Sequence, residues 1–111
     1  MNSAQLSEQV SVSGQLDVGD LEALVEAGVK VLVCNRPDGE SADQTPFADI
    51  RDAAQALGLE VVNIPFAGSA MTLEHASEFA DVLKSGKRVH AYCRSGARSG
   101  NLFALAGQLD D

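Results

Sequence analysis

Two cysteines, Cys34 and Cys93, and a small set of arginines are the residues of this chain best suited to chemistry. Cys93 opens the run Cys93-Arg94-Ser95-Gly96-Ala97-Arg98-Ser99, which follows the apolar segment Val89-His90-Ala91-Tyr92. A buried strand would deliver the cysteine to the mouth of a sheet, Gly96 would turn the chain, and a helix would start near Ala97 or Arg98. Successive backbone N–H groups in such a turn converge into an anion cradle at a helix N-terminus. The helix dipole and the two arginines, Arg94 and Arg98, favour a thiolate over a thiol and should lower the cysteine's pKa, and a thiolate is a nucleophile. Arg98 can hold two oxygens of an anion with its planar fork. Ser99 can donate a hydrogen bond to the sulfur. Arg94, Ser95, Gly96 and Ala97 complete the anion-binding loop.

Outside the loop, Asp38 and Glu40 fall in the polar stretch Asn35–Thr45, where either could protonate a leaving group; Pro-Asp-Gly is equally a turn signal. Arg36 either supplements the anion site or pairs with Glu40. Cys34 reads as a small buried hydrophobe, with a resolving-thiol role as the alternative. His75 is expected at the surface and Tyr92 beside the loop. Neither a Cys-x-x-Cys pair nor a cluster of histidines points to a metal, and the chemistry read here needs no cofactor.

The elements that position these residues are legible in the alternation of patterns. Val10–Ser13 alternates as a short edge strand ending at Gly14. Asp17 or Asp20 caps a helix running to about Ala27, with Leu21, Leu24 and Val25 on its apolar side, and Gly28 stops it. Val29–Cys34 and Leu59–Ile64 read as strands covered on both faces. Between them Pro46 starts a helix to about Leu57. Thr72 caps a helix over Leu73–Leu83, with Glu74 and Glu78 on its wet side. The turn Ser85-Gly86-Lys87 leads into the strand Arg88–Tyr92, and the last helix runs through Leu102, Phe103 and Leu105. Alternating strands and helices specify an α/β fold with a mostly parallel central sheet of four to five strands and helices on both faces. Its carboxyl edge would gather Cys34, Asn35, Pro65 and Cys93, and ligands bind at that edge in such folds.

The 111 residues make one domain. Eight basic residues against 16 acidic ones give a net charge of −8. A surface of that sign repels nucleic acid and anionic lipid, both of which bind through lysine and arginine. Lys84, Lys87 and Arg88 read as a solvated loop and strand start. No apolar run is long enough for a membrane span, and Met1–Glu8 has neither the basic start nor the apolar core of a secretory signal, so a cytoplasmic location is expected.

Together with Ser11-Val12-Ser13-Gly14-Gln15 and Asn35-Arg36-Pro37-Asp38-Gly39-Glu40, the Cys93 loop resembles the bacterial phosphatase-like domain of the beta-lactamase-hydrolase-like proteins, relatives of the dual-specificity phosphatases. The resemblance covers nearly the whole chain. It implies a dual-specificity-phosphatase-like fold, Cys93 as nucleophile, Arg98 as the phosphate-binding arginine, and a phosphorylated substrate. Such domains occur alone or fused to metallo-hydrolase and sulfide-oxidising domains, which implies a fusion or operon partner in sulfide metabolism and a chain that continues beyond Asp111. Three features depart from the phosphatase pattern. Cys93 and Arg98 enclose four residues instead of five, the spacing of rhodanese-type sulfurtransferases, so a Cys93 persulfide fed by a sulfur donor is the alternative chemistry. Tyr92 stands where phosphatases commonly have histidine. Ile64-Pro65-Phe66-Ala67-Gly68-Ser69 carries no acid. A non-catalytic anion-binding module is the third reading.

Overall fold

The computed structural model describes residues 2–109. Five strands form one sheet: β1 Ser3–Gln5, β2 Val10–Ser13, β3 Val31–Cys34, β4 Glu60–Asn63 and β5 Val89–Tyr92, in the spatial order β1-β2-β5-β3-β4. All neighbours are parallel except β1, which runs antiparallel to β2. Four helices accompany them: α1 Leu21–Glu26, α2 Phe47–Ala56, α3 Leu73–Leu83 and α4 Ala97–Leu109. A single 3₁₀ turn, Val18–Asp20, precedes α1.

Side-chain alternation along the central strands splits the core into two layers. Val31 and Val33 of β3, with Val89 and Ala91 of β5 and Val10 and Val12 of β2, face Phe79 of α3 and Leu102 of α4. Leu32, Cys34 and Tyr92 point the other way, onto Leu21 and Leu24 of α1 and Ile50 and Ala54 of α2. Each fully buried aliphatic or aromatic side chain in these layers contributes on the order of 1.5–3 kcal/mol. The central strands are buried at every position because both faces are covered.

Three expectations change. Val10–Ser13 is not an edge strand: β1, which is polar and exposed throughout, pairs outside it. The second strand of buried type is the actual edge, with Glu60 and Asn63 exposed and only the flanking Leu59 and Ile64 fully covered. Val25 is 38% exposed instead of lying on the apolar side of α1, because the helix is short and Leu21 and Leu24 alone reach the sheet. Helix α3 has the expected bounds, and its cap is the expected one: Thr72 Oγ1 accepts from the His75 N–H at 3.2 Å. Lys84, Lys87 and Arg88 are exposed.

Candidate active site

The carboxyl ends of β2, β3 and β5 meet at one edge, and the chain leaving each strand contributes to a single site. Cys93, directly after β5, is fully buried, and its N–H donates to the Ser13 carbonyl at 3.2 Å. The loop then folds against the end of β2. Gly14 and Ser95 form an antiparallel bridge, and the Gln15 N–H donates to the Arg94 carbonyl at 3.3 Å. A side chain at Gly14 would put its Cβ 2.9 Å from that same carbonyl oxygen, so only glycine lets the two segments close. Gly96 has φ +97°, and a Cβ there would press on the Ser13 backbone at 3.4 Å. This left-handed residue turns the chain so that its N–H donates to Cys93 Sγ at 3.0 Å and α4 begins one residue later.

Burial pushes the Cys93 thiol up, but the backbone N–H groups of Ser99, Ser95 and Gly96 and the Ser99 hydroxyl together outweigh it, and the net effect lowers its pKa. The lowering comes first from these hydrogen bonds, whereas the sequence points to the helix dipole and the two arginines. Ser99 is itself buried and donates through Oγ to Asn35 Oδ1 at 2.8 Å. Its hydroxyl carries one proton, so stabilising the thiolate requires that proton to turn from Asn35 to sulfur. Asn35 is fixed for this role: its N–H donates to the Tyr92 carbonyl at 2.8 Å and its Nδ2 to the Ile64 carbonyl at 2.9 Å.

Arg98, on the first turn of α4, is held end-on. Its Nη1 donates to Glu40 Oε2 at 2.9 Å and to the Phe66 carbonyl at 3.3 Å, and its Nη2 donates to Glu40 Oε1 at 3.0 Å. Of the five N–H groups of a guanidinium, Nε–H and the second Nη2–H remain, and they lie on one edge of the plane in the geometry that grips an oxyanion at two points. Gly68 borders that edge: a Cβ there would stand 3.6 Å from Nε. The Arg98 guanidinium, and with it that of Arg36, holds the Glu40 carboxyl below the usual carboxylate range.

Arg36 is 5% exposed and pairs with Glu40: Nε donates to Glu40 Oε1 at 2.9 Å and Nη1 to Gln15 Oε1 at 3.0 Å. Asp38 Oδ1 accepts from the Phe47 N–H at 2.8 Å at the start of α2. Arg94 and Ser95 are exposed on the rim, where Ser95 Oγ accepts from the Ala97 N–H at 3.4 Å. Residues Asp38–Ser41, Gln44 and Pro46 border an open hollow of about 590 Å³ beside the site.

Cys34 lies in the core with its thiol donating to the Arg36 carbonyl at 3.3 Å, and burial pushes its pKa up. Tyr92 is buried in the same layer. His75 is half-buried rather than a plain surface residue, stacked on Phe66 with ring centroids 5.0 Å apart. Asn35, Gln15 and Gly68 are site residues to which the sequence pattern gives no role. His90, within the apolar segment that leads to the loop, is fully buried between Ser11 Oγ and Ser13 Oγ at 2.7 and 2.8 Å. No group of three or more metal-ligating side chains is gathered among the described residues, and no described helix is long and apolar enough to cross a membrane.

Residues 3–110 match the family model described as the beta-lactamase hydrolase-like protein, phosphatase-like domain. A beta-lactamase hydrolase-like protein of Agrobacterium fabrum is 29% identical over 111 residues, covering 99% of this chain and 26% of that protein. The chain therefore spans about a quarter of the length of the curated relatives it matches. A candidate phosphatase of Neisseria meningitidis superposes with a TM-score of 0.79 at 30% identity, over 89% of this chain and 71% of that one. The kinase-associated phosphatase shares the fold at a TM-score of 0.71 and 17% identity, over 90% of this chain and 65% of that one. The architecture is a tyrosine/dual-specificity-phosphatase-like α/β fold.

Proposed function

Because the chain belongs to the phosphatase-like domain family of the beta-lactamase hydrolase-like proteins, we propose that it is a cysteine-dependent phosphatase working through Cys93 and Arg98. The carrying observation is the sulfur at the head of α4, accepting from the Gly96 N–H at 3.0 Å, with Arg98 on the first turn of the same helix keeping one guanidinium edge free. A phosphoryl group seated in the loop would be held by the amides that follow Cys93 and by Nε and Nη2 of Arg98. The thiolate attacks phosphorus, an S–P bond forms as the bond from phosphorus to the leaving oxygen breaks and that oxygen departs with the electron pair, and water then releases orthophosphate and restores the thiolate. Ser99 supports the thiolate as the S–P bond breaks in the second step, and Asn35 orients Ser99. Glu40 holds Arg98, and Arg36 holds Glu40. Arg94, Ser95, Gly96 and Ala97 form the floor and rim of the anion site. The substrate is a phosphorylated molecule.

The four-residue spacing between Cys93 and Arg98 supports one other reading, a sulfurtransferase that carries a Cys93 persulfide. Mass spectrometry of the protein after exposure to an aryl phosphate and, separately, to thiosulfate distinguishes the two. A phosphoryl adduct on Cys93 from the first is expected. A persulfide from the second with no adduct from the first would replace phosphoryl transfer by sulfur transfer.

A further inference from the structure

We propose that the site acts on anhydrides of phosphoric acid, whether with a second phosphate or with a carboxylic acid, and that Arg94 stabilises the leaving group as it departs as an anion. This rests on the phosphatase reading and names its substrate class.

The first support is the engagement of Glu40, Asp38 and Asp43, the carboxylates of the loop that carries Arg98's partner. Phosphoryl transfer from an aryl or alkyl ester needs a proton delivered to the leaving oxygen, and a positioned acid contributes about 10²–10⁴-fold. Both oxygens of Glu40 are occupied by Arg98, Oε1 by Arg36 as well, and these guanidinium groups keep the carboxylate ionised. Asp38 caps the start of α2 through the Phe47 N–H. Asp43 accepts from Ser41 Oγ at 2.8 Å, a bond that lowers its pKa most, with weaker help from the charges of Arg36 and Arg94. Residues 65–72, which carry Phe66 and Gly68 past Arg98, contain no carboxyl group. The nearest histidine on that side, His75, accepts the Thr72 N–H at Nδ1 and lies flat on Phe66. Each of these groups is thus already engaged within the protein.

The second support is Arg94. Its backbone is pinned through the Gln15 N–H and the contact with Gly14, while its side chain is exposed. Arg36 and Arg98 are tied to Glu40, Arg51 to Asp52 and Arg88 to the Ala27 carbonyl, whereas no hydrogen bond or ion pair engages the Arg94 guanidinium among the described residues. A free cation one residue from the nucleophile suits a leaving group that carries away negative charge. The anhydride step needs nothing more. Cys93 Sγ⁻ forms the S–P bond, the bridging P–O bond breaks, and the oxygen keeps the electron pair as a phosphate or carboxylate anion without protonation. Water then attacks phosphorus, orthophosphate leaves with the water proton shed to solvent, and the thiolate is restored.

The test is a leaving-group series on the purified chain: acetyl phosphate, inorganic pyrophosphate, para-nitrophenyl phosphate, phenyl phosphate and an alkyl phosphate. At least one of the two anhydrides should be turned over with kcat/KM at least about 10²-fold above phenyl and alkyl phosphate. Which of the two it is assigns the mixed or the phosphoric anhydride. Arg94→Met should lower the anhydride value about tenfold, the worth of one charge-assisted contact, and para-nitrophenyl phosphate much less. Phenyl phosphate within about tenfold of the better anhydride would overturn the proposal, since that requires a working acid. Selective loss of phenyl phosphate turnover in Asp38→Asn or His75→Gln, or an equal Arg94→Met loss on both substrates, would overturn it as well. Turnover of none of the five would overturn the phosphatase reading and this proposal with it.

Discussion

Glu40 grips the guanidinium of Arg98 end-on, with Oε2 at 2.9 Å from Nη1 and Oε1 at 3.0 Å from Nη2, and so leaves the side-on edge of that arginine free. A flexible arginine would spend binding energy on ordering itself; here the partner carboxylate has already done so. Arg36 donates to the same carboxylate from a nearly buried position.

Glu40→Gln should therefore weaken anion binding and turnover without removing any group that touches the substrate. The amide accepts at one oxygen only, so one of the two contacts to Arg98 is lost. A fall in kcat/KM of roughly tenfold is expected for a lost charge-assisted hydrogen bond, along with a lower melting temperature because Arg36 loses its charge partner. Orthophosphate inhibition constants for wild type and variant measure this directly, and an improved affinity would mean that Glu40 competes with the substrate instead of holding Arg98.

Gly68 matters for a steric reason. Since a Cβ there would meet Arg98 Nε at 3.6 Å, Gly68→Val should cover the edge left open for an oxyanion. The expected result is weaker orthophosphate inhibition, by roughly tenfold or more, with melting temperature nearly unchanged because the segment is exposed. Unchanged inhibition would show that the anion approaches Arg98 from another side.

The Cys93 loop is legible in the sequence alone because strand, nucleophile, glycine turn and helix are contiguous, and local chemistry dictates their order. The roles of Asn35, Gln15 and Gly68 are not, since each residue comes from a different segment and acquires its role only where three strand ends converge. Sequence leaves Arg36 the choice between the anion site and Glu40, and no spacing rule shows that Arg98 completes the pair from 58 residues away. Strand β1 has no signature of its own because Ser3-Ala4-Gln5 lacks apolar alternation; its partner strand holds it through the backbone. The edge position of β4 is hidden for the opposite reason: Val61 and Val62 look buried by type, but no strand covers their outer side.

His90 gives the fold a pH dependence of its own. Burial lowers its pKa from the ordinary 6.5 to about 4, while the unfolded chain titrates near the ordinary value. Between those two values the unfolded state binds the extra proton, so stability falls as pH drops from about 6.5 to about 4 and is unaffected by this group above that window. The shift corresponds to about 3 kcal/mol. Urea unfolding at pH 7 and pH 4.5 should show that loss in the wild type and a visibly smaller one in His90→Gln. An equal loss in both would place the acid sensitivity elsewhere.

Ser99→Ala should act on the sulfur through two routes at once, removing a hydroxyl that lowers the Cys93 pKa and leaving Asn35 Oδ1 without its donor. The midpoint of Cys93 alkylation against pH should rise, and turnover limited by breakdown of the cysteinyl adduct should fall. Ser99→Thr, which keeps the hydroxyl, should recover most of the midpoint. A midpoint unaltered by Ser99→Ala would leave the stabilisation to the loop amides alone.

Everything proposed for the site depends on the loop turning Cys93 into a thiolate nucleophile while Cys34 stays a buried thiol. Iodoacetamide labelling followed peptide by peptide across pH measures both cysteines in one sample. The loop amides and Ser99 predict a Cys93 midpoint below the free-thiol value of about 8.5. Cys34, raised by burial, should label slowly and only at higher pH. A Cys93 profile at or above the free-thiol midpoint, in step with that of Cys34, would contradict a thiolate at the head of α4.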